Sequence, residues 1–247
     1  MSLPIPYCGT PPAPGELLSR FNLDPVLIAV LIALALLHVY AIRTARARAL
    51  AAAGWAIAAA ALISPLCALS VALFSARIAQ HMILLLVAAP LIAAAWQNSE
   101  RPRSEATLYV SAFVFTACLW VWHMPGPYDA TFSSTLIYWS MHVSLFGSAT
   151  LLWRELLHHP PERTGLVLLV GLSSSMQMGL LGAVLTLAGR PLFFPHLTTT
   201  TAWGLTALQD QQLGGTLMWV PGMGLFLYVA LRSLYRLWTV LEKPSAA

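Results

Sequence analysis

Three histidines with methionine neighbours are the residues of this sequence best suited to chemistry. His81 and His123 each precede a methionine, Met82 and Met124, and His142 directly follows one. Imidazole binds copper, zinc, iron and nickel, whereas the thioether of methionine and the thiolate of cysteine select Cu(I). Ionisable groups inside apolar segments are costly, so they invite a functional interpretation. The three histidines therefore predict a soft-metal site, for which copper, as Cu(I), is the favoured ion.

Two further groups are candidates to assist the histidines, together with Met82 and Met124. Cys8 lies in the N-terminal segment, where a free thiol in an oxidising space would be unusual. Asp210 lies in a polar stretch before the last apolar segment. Structural alternatives stay open, since methionine usually fills cores and Asp210 could cap the helix that follows it. His142 could also simply hydrogen-bond to a helix carbonyl.

The composition places these residues in a membrane. Charged residues make up 9% of the 247 residues and hydrophobic ones 58%, and the mean hydropathy is +0.73. A soluble domain carries about 25% charged residues. The chain is therefore predicted to be an all-α, polytopic helical bundle embedded in a lipid bilayer. Its net charge of +4 is small, which makes nucleic acid a poor partner.

Other chemistry finds little support in the sequence. It contains no GxSxG motif, no HExxH motif and no phosphate-binding glycine loop, so we expect no enzymatic activity. The three cysteines, Cys8, Cys67 and Cys118, have no CxxC spacing and predict no disulfide framework. The histidines are therefore expected either to bind a metal or to have a structural role.

Seven segments are apolar enough to form transmembrane helices, each of which needs about 20 apolar residues. The predicted spans are residues 25–42, 50–74, 78–96, 107–123, 136–153, 165–187 and 216–237. On this division, residues 1–24 form a proline-rich periplasmic tail, residues 25–240 the seven-helix domain and residues 241–247 a cytoplasmic tail.

The basic residues predict the orientation, because lysine and arginine are enriched in cytoplasmic loops. Ten of the thirteen fall in the first, third and fifth loops and at the C-terminal end, against three on the other side. These ten are Arg43, Arg46, Arg48, Arg101, Arg103, Arg154, Arg163, Arg232, Arg236 and Lys243. The N-terminus is therefore predicted to lie outside, on the periplasmic side of a bacterial inner membrane, and the C-terminus in the cytoplasm.

This orientation brings the candidate ligands to one face of the membrane. His81 and His123 fall at outer helix ends, His142 about two turns into its helix, and Asp210 in the last outer loop. The run 125–127, Pro-Gly-Pro, predicts a rigid turn after His123, because proline cannot continue a helix. The nearby aromatic residues would then anchor the helix end at the headgroup level: Trp120, Trp122 and Tyr128.

Several motifs together resemble the CtaG-type cytochrome c oxidase assembly family, in a match that runs almost from end to end. They are Tyr7-Cys8-Gly9, Phe21-Asn-Leu-Asp-Pro25, Gln80-His81-Met82, Trp122-His123-Met-Pro, Tyr128-Asp129-Ala130, His142 with Trp153, Asp210-Gln-Gln-Leu-Gly-Gly215 and Met218-Trp219-Val-Pro221. The one departure noticed is Phe21, where tryptophan is common. More distantly, the sequence is similar to membrane copper-resistance proteins of the CopD type.

The resemblance implies a polytopic protein needed to form an active haem–copper oxidase at the stage of copper insertion. The family's histidines correspond to His81, His123 and His142, and its acidic motif to Asp210. The implied partners are an oxidase subunit and periplasmic copper chaperones, and a homo-oligomer is left open. A copper transporter, a bis-histidine haem carrier and a purely structural partner of an oxidase remain alternatives to a copper metallochaperone.

Overall fold

The computed structural model describes residues 5–96 and 104–242, and all regular structure within these ranges is helical. Arg101, Arg103, Lys243, the rest of the C-terminal tail and residues 1–4 lie outside the described residues. The α-helices of the described ranges are α1 Pro25–Ala41, α2 Ala45–Ile63, α3 Leu66–Ala72, α4 Phe74–Ile83, α5 Ala89–Ala95, α6 Glu105–Trp122, α7 Pro125–Ala130, α8 Thr135–Leu157, α9 Thr164–Leu187 and α10 Ala207–Leu241.

Five helical segments are long and apolar enough to cross a membrane. They are Ala45–Ile63, Phe74–Ala95, Glu105–Trp122, Pro161–Leu187 and Ala207–Leu241. The apolar helix α1 is shorter, at 17 residues, and α8, at 23 residues, is not among the five. The chain is thus a multi-pass membrane protein, and the count of seven spans and the orientation of the termini stay predictions.

The second predicted span, residues 50–74, is broken in the structure. Helix α2 ends at Ile63, and the backbone turns at Ser64 before α3 begins at Leu66. Pro65 explains the break, because it disfavours helical backbone at the residue before it, and Ser64 is accordingly extended. The next span begins at Phe74, four residues earlier than predicted.

This next span contains a register change directly after the turn that carries His81. Residues Leu84–Ala88 form a π-helical segment, in which the Ala89 amide bonds to the Leu84 carbonyl five residues back. In this register the Leu85 carbonyl would have to bond to residue 90, which is proline and has no amide hydrogen. The buried indole of Trp153 in α8 donates to that carbonyl instead, at 2.7 Å. A neighbouring helix therefore supplies the hydrogen bond that the proline cannot donate.

Helices α9 and α10 pack closely through a glycine seam, which we define as Gly182 and Gly215. A Cβ atom at Gly182 would lie 2.9 Å from the Gly215 carbonyl oxygen, and one at Gly215 would lie 2.7 Å from the Gly182 oxygen. Small residues allow membrane helices to approach in this way. The seam fixes α10 against α9, and α10 also packs against α4.

The N-terminal segment folds back onto the bundle, although its prolines favour an extended tail. A turn from Pro6 to Gly9, with Gly9 at φ +88°, directs Tyr7 and Cys8 towards α8. Cys8 forms a disulfide with Cys67, and their Cα atoms are 5.5 Å apart. The expectation that the cysteines form no disulfide is therefore wrong, because the two lie 59 residues apart in sequence and only the fold brings them together.

Candidate metal centre

His81 lies at the centre of the candidate site, in the last turn of α4. Its side chain is 1% exposed, and both ring nitrogens lack a hydrogen-bond partner. Most buried polar atoms in proteins have such a partner, so each exception calls for an explanation. A neutral imidazole carries a lone pair on one of its two nitrogens, so His81 has the chemistry of a ligand position.

His123 and His142 stand beside it with one nitrogen each left free. His123 is the C-terminal cap of α6, and its Nδ1 lies 2.6 Å from the Leu119 carbonyl oxygen. In α8, the Nδ1 of His142 lies 3.0 Å from the Tyr138 carbonyl oxygen. Each Nδ1 therefore carries the proton and donates to a carbonyl, which leaves a lone pair on Nε2. Neither Nε2 has a hydrogen-bond partner, and metal-binding histidines are usually oriented by such a second bond.

The three rings, which we call the histidine cluster, pack edge to face around His81. Its ring centroid is 5.6 Å from that of His123 and 5.3 Å from that of His142. Two imidazoles that bind one ion at about 2 Å place their centroids about 5–6 Å apart. Among residues 5–96 and 104–242, however, no three His, Cys, Asp or Glu side chains are grouped as a metal site. The residue types and free nitrogens fit a metal, and binding it needs the rings to reorient.

An aromatic layer covers the cluster on the side of the N-terminal segment. The ring of Tyr138 lies 4.3 Å from the His142 ring, and Tyr7 stacks on Tyr138 at 4.8 Å. The Tyr7 hydroxyl donates to Asp24 at 2.6 Å. Burial and this hydrogen bond raise the pKa of Tyr7 to about 12, while the bond from Tyr7 lowers the pKa of Asp24. The layer is therefore anchored by a strong polar contact at its rim.

Arg77, predicted only as an outer basic residue, is 1% exposed one turn before His81. Its guanidinium lies 4.2 Å from the Phe132 ring centroid and donates to Thr131 at 2.7 Å, while its Nε has no hydrogen-bond partner. A buried cation held mainly by aromatic faces is uncommon. The spacing of residues in the sequence could not predict that Arg77 is buried, because its burial depends on contacts with the segment that follows α6.

Asp210 lies in the first turn of α10 and not in a loop as predicted. Its carboxylate accepts from the Phe74 amide at 2.6 Å, from the Ser75 amide at 3.1 Å and from the Ser75 hydroxyl. It thus caps α4, whose preceding residue offers no side-chain cap. Helix α10 is capped instead by Thr206 and Gln209, which form a reciprocal capping box. Asp210 therefore positions the helix that carries His81.

The three sulfur candidates lie in different surroundings. Met82 is buried at 6% exposure in the main core, whereas Met124 is 44% exposed at the N-terminal cap of α7. Cys8 is held in the disulfide, so its sulfur is not a thiolate. The Pro-Gly-Pro run begins the short helix α7 instead of forming an isolated turn, because proline is tolerated in the first helical turn.

His196, in the loop between α9 and α10, packs at the same end of the bundle as the histidine cluster. The sequence did not predict this position. Its Nε2 lies 2.7 Å from the hydroxyl of Tyr128. Tyr128 is fully buried and not an anchor at the headgroup level. Burial lowers the pKa of His196 to about 3, which keeps it neutral. The sequence signal that could have indicated this buried position is a histidine close to an aromatic run in a long loop.

Comparison with known proteins gives one finding. A family model described as cytochrome c oxidase caa3 assembly factor (Caa3_CtaG) matches residues 106–239. This range includes His123, His142 and Asp210, while His81 and the disulfide lie before it. No curated protein and no solved structure matches the chain.

Proposed function

Since the chain belongs to the cytochrome c oxidase caa3 assembly factor family, we propose that it binds copper at the histidine cluster and delivers the ion to a haem–copper oxidase subunit. The proposal needs no catalytic step. Copper is the cargo, and the protein contributes donors, shielding and a place of transfer. His81, His123 and His142 are the proposed ligands, with Met82 and Met124 as candidates to assist the transfer.

Four free ring nitrogens carry this proposal. They are His81 Nδ1, His81 Nε2, His123 Nε2 and His142 Nε2, and all are buried. Leaving buried polar atoms without a partner costs about 1–3 kcal/mol each, and the cluster concentrates four such nitrogens on three adjacent rings. Imidazole and thioether donors suit Cu(I), which makes copper a better cargo than a hard cation.

The disulfide supports placing this site on an oxidising side of the membrane, because disulfides persist in oxidising compartments. This agrees with the outside position that the basic residues predict for the N-terminus. A copper site there would face an oxidase subunit and periplasmic copper chaperones, which are the proposed partners. Cys8 can offer a thiolate to copper only after the disulfide is reduced.

Direct contact between the His81 and His142 rings does not favour the haem alternative. Two axial histidines lie on opposite faces of a haem, whereas these rings touch edge to face at 75°. A haem would have to separate α4 from α8. The copper transporter remains the runner-up, since an ion held at this end could also be passed through the bundle.

The test is copper retention by the purified chain after loading with Cu(I) in the presence of a chromophoric chelator. The variants are His81→Gln, His123→Gln and His142→Gln, with His38→Gln as the matched control. His38 accepts a hydrogen bond from Trp55 at 3.2 Å, outside the cluster. We expect each cluster variant to lose copper affinity at least tenfold and the control to retain it. Vesicles that contain the protein should not accumulate copper in their lumen.

Oxidase activity in membranes completes this test. We expect it to fall in cells that carry the cluster variants and to remain normal with His38→Gln. Unchanged copper binding in a variant that lacks all three histidines would reject the proposal. Full oxidase assembly by a wild-type chain that binds no copper would reject it as well.

A further inference from the structure

The disulfide lies at the edge of a polar cleft and not in the closed core. This cleft, which we call the disulfide cleft, has a volume of about 450 Å3 and is lined by Cys8, Gly9, Ser19, Arg20 and Asn22 among others. Arg20 is partly exposed there and hydrogen-bonds to Thr10. The cleft therefore gives an incoming group access to one sulfur and offers a positive charge beside it.

The two sulfurs differ in accessibility and in hydrogen bonding. Cys8 is partly exposed and lines the cleft, whereas Cys67 is 1% exposed. The Sγ of Cys67 lies 3.6 Å from the Asn22 amide nitrogen and 3.8 Å from the Tyr138 hydroxyl. The Sγ of Cys8 lies 3.3 Å from the same hydroxyl. Cys8 is thus the more accessible residue of the pair, and Cys67 has the Asn22 amide and the Tyr138 hydroxyl in reach to stabilise its sulfur as a leaving thiolate.

We propose that Cys8–Cys67 is a site of thiol–disulfide exchange for a thiol-bearing partner that enters the disulfide cleft. The partner's thiolate attacks Cys8 Sγ in line with the sulfur–sulfur bond. A new bond forms between the partner and Cys8, the Cys8–Cys67 bond breaks, and its electron pair leaves on Cys67. The hydroxyl of Tyr138 and the amide of Asn22 donate to this thiolate.

A dithiol partner completes the reaction. Its second thiolate attacks the partner's own sulfur in the mixed disulfide, and Cys8 leaves. The partner is then oxidised to a disulfide, and this chain holds two reduced cysteines. Two electrons pass from the partner to the chain, the two protons of the partner's thiols end on Cys8 and Cys67, and no other oxidant or reductant is needed. Rates of such exchange depend on which sulfur is accessible.

The exchange alters the aromatic layer that covers the histidine cluster. Oxidised Cys8 holds the turn that places Tyr7 on Tyr138, and the Tyr138 ring in turn contacts the His142 ring. Among the described residues, reduction removes the one side-chain cross-link between this turn and the bundle, and the main chain through residues 10–24 remains. The site thus connects a redox event in the cleft to the layer over the histidines, and it does not require that copper be the cargo.

The experiment uses the full chain in detergent, with Cys118→Ser to remove the remaining thiol. The copper-free protein is treated with reduced glutathione, quenched in acid and analysed by peptide mass spectrometry. We expect reaction without denaturant and glutathione attached to Cys8 at least tenfold more often than to Cys67. Reaction only after denaturation, or glutathione chiefly or equally on Cys67, would overturn the proposal and leave a structural disulfide.

Single-cysteine variants give an independent measurement in the same background. Cys67→Ser keeps Cys8, and Cys8→Ser keeps Cys67, and both are treated with glutathione disulfide. We expect Cys8 to react at least tenfold faster than Cys67. Since either variant could unfold, near-ultraviolet circular dichroism must first match that of the parent, and the parent's own adduct position decides the outcome if it does not.

Tyr138→Phe tests the positioning role of the hydroxyl. It keeps the ring that contacts His142 and removes the donor to the sulfurs. Because a hydrogen bond to a charged group is stronger than one to a neutral group, glutathione attack should slow about tenfold or more. Asn22→Ala should slow it less, because that contact is longer. An unchanged rate in Tyr138→Phe would remove Tyr138 from the proposed reaction.

Discussion

The histidine cluster leaves four ring nitrogens without a partner, whereas the glycine seam leaves no room for a single Cβ atom. Both regions are buried in the same bundle. The seam joins α9 to α10 through backbone contact, and its fit comes from shape alone. The cluster joins α4, α6 and α8 through rings that touch edge to face and satisfy few of one another's polar atoms.

The comparison distinguishes residues that stabilise the bundle by packing from residues whose buried nitrogens have no hydrogen-bond partner. Close backbone packing between membrane helices stabilises them through dispersion contacts. Buried imidazole nitrogens without a hydrogen-bond partner contribute nothing of this kind and cost free energy. Substitutions in the two regions should therefore change different properties.

A substitution in the glycine seam should have the largest effect on stability. In Gly215→Val the new Cβ would meet the Gly182 oxygen and the Thr186 nitrogen, both at 2.7 Å. Because these are backbone atoms, α9 and α10 must separate, and we expect a loss above about 3 kcal/mol. The free energy of unfolding measures this loss. Gly224→Val is the control, since nothing lies within 4 Å of a Cβ there, and equal losses would contradict the role of the seam.

Asp210→Ala should rank second, because its carboxylate joins α10, which carries Gly215, to α4, which carries His81. Two amides at the start of α4 and the Ser75 hydroxyl would lose their acceptor. Loss of a cap and unsatisfied buried donors together should cost about 2–3 kcal/mol. Copper affinity should fall as well, since α4 carries His81. Ser104→Ala, at the exposed cap of α6, is the control and should cost about 1 kcal/mol or less.

The titration of His196 should have no effect on stability at neutral pH, and its effect appears only in acid. Its folded-state pKa of about 3 lies below the ordinary value of 6.5, so the unfolded chain binds the proton first. Its contribution is intact above pH 6.5 and is lost as the pH falls towards 3, by at most about 1.4 kcal/mol per pH unit. Unfolding free energies from pH 7 to 4 should fall less steeply in His196→Gln than in the parent. Parallel curves would show that His196 does not titrate in this way.

Much of the bundle could be predicted from the sequence because hydrophobic runs and turns are local signals. Six of the seven predicted spans correspond to helical segments with ends shifted by a few residues, except that α10 begins at Ala207. The family resemblance is confirmed by the matching model over residues 106–239. The sequence also predicted that the three histidines share one face of the membrane, because alternating helix directions bring their ends to one side. It left open whether they converge, and only the structure brings their rings within 5.3 and 5.6 Å of His81.

The remaining features depend on contacts that no local pattern encodes. The run from Gln209 to Gln212 is polar and resembles a loop, yet it is helical because α4 and α9 supply its partners: Asp210 binds the α4 amides and Gln211 donates to Leu185 in α9. The disulfide joins segments 59 residues apart. Arg77 is buried by aromatic rings from a different segment. In each case the tertiary partner, and not the residue's own surroundings in sequence, decides the outcome.

The carboxylate of Asp210 also sets the order in which the protein can be completed during synthesis. Ribosomes make chains from the N-terminus, so Phe74 enters the membrane 136 residues before its cap is translated. Until α10 is inserted, the first amides of α4 have no acceptor from Asp210, and the turn that carries His81 is not yet fixed. In a nascent or truncated chain the histidine cluster is therefore incomplete, and its geometry is set only when the last helix is inserted.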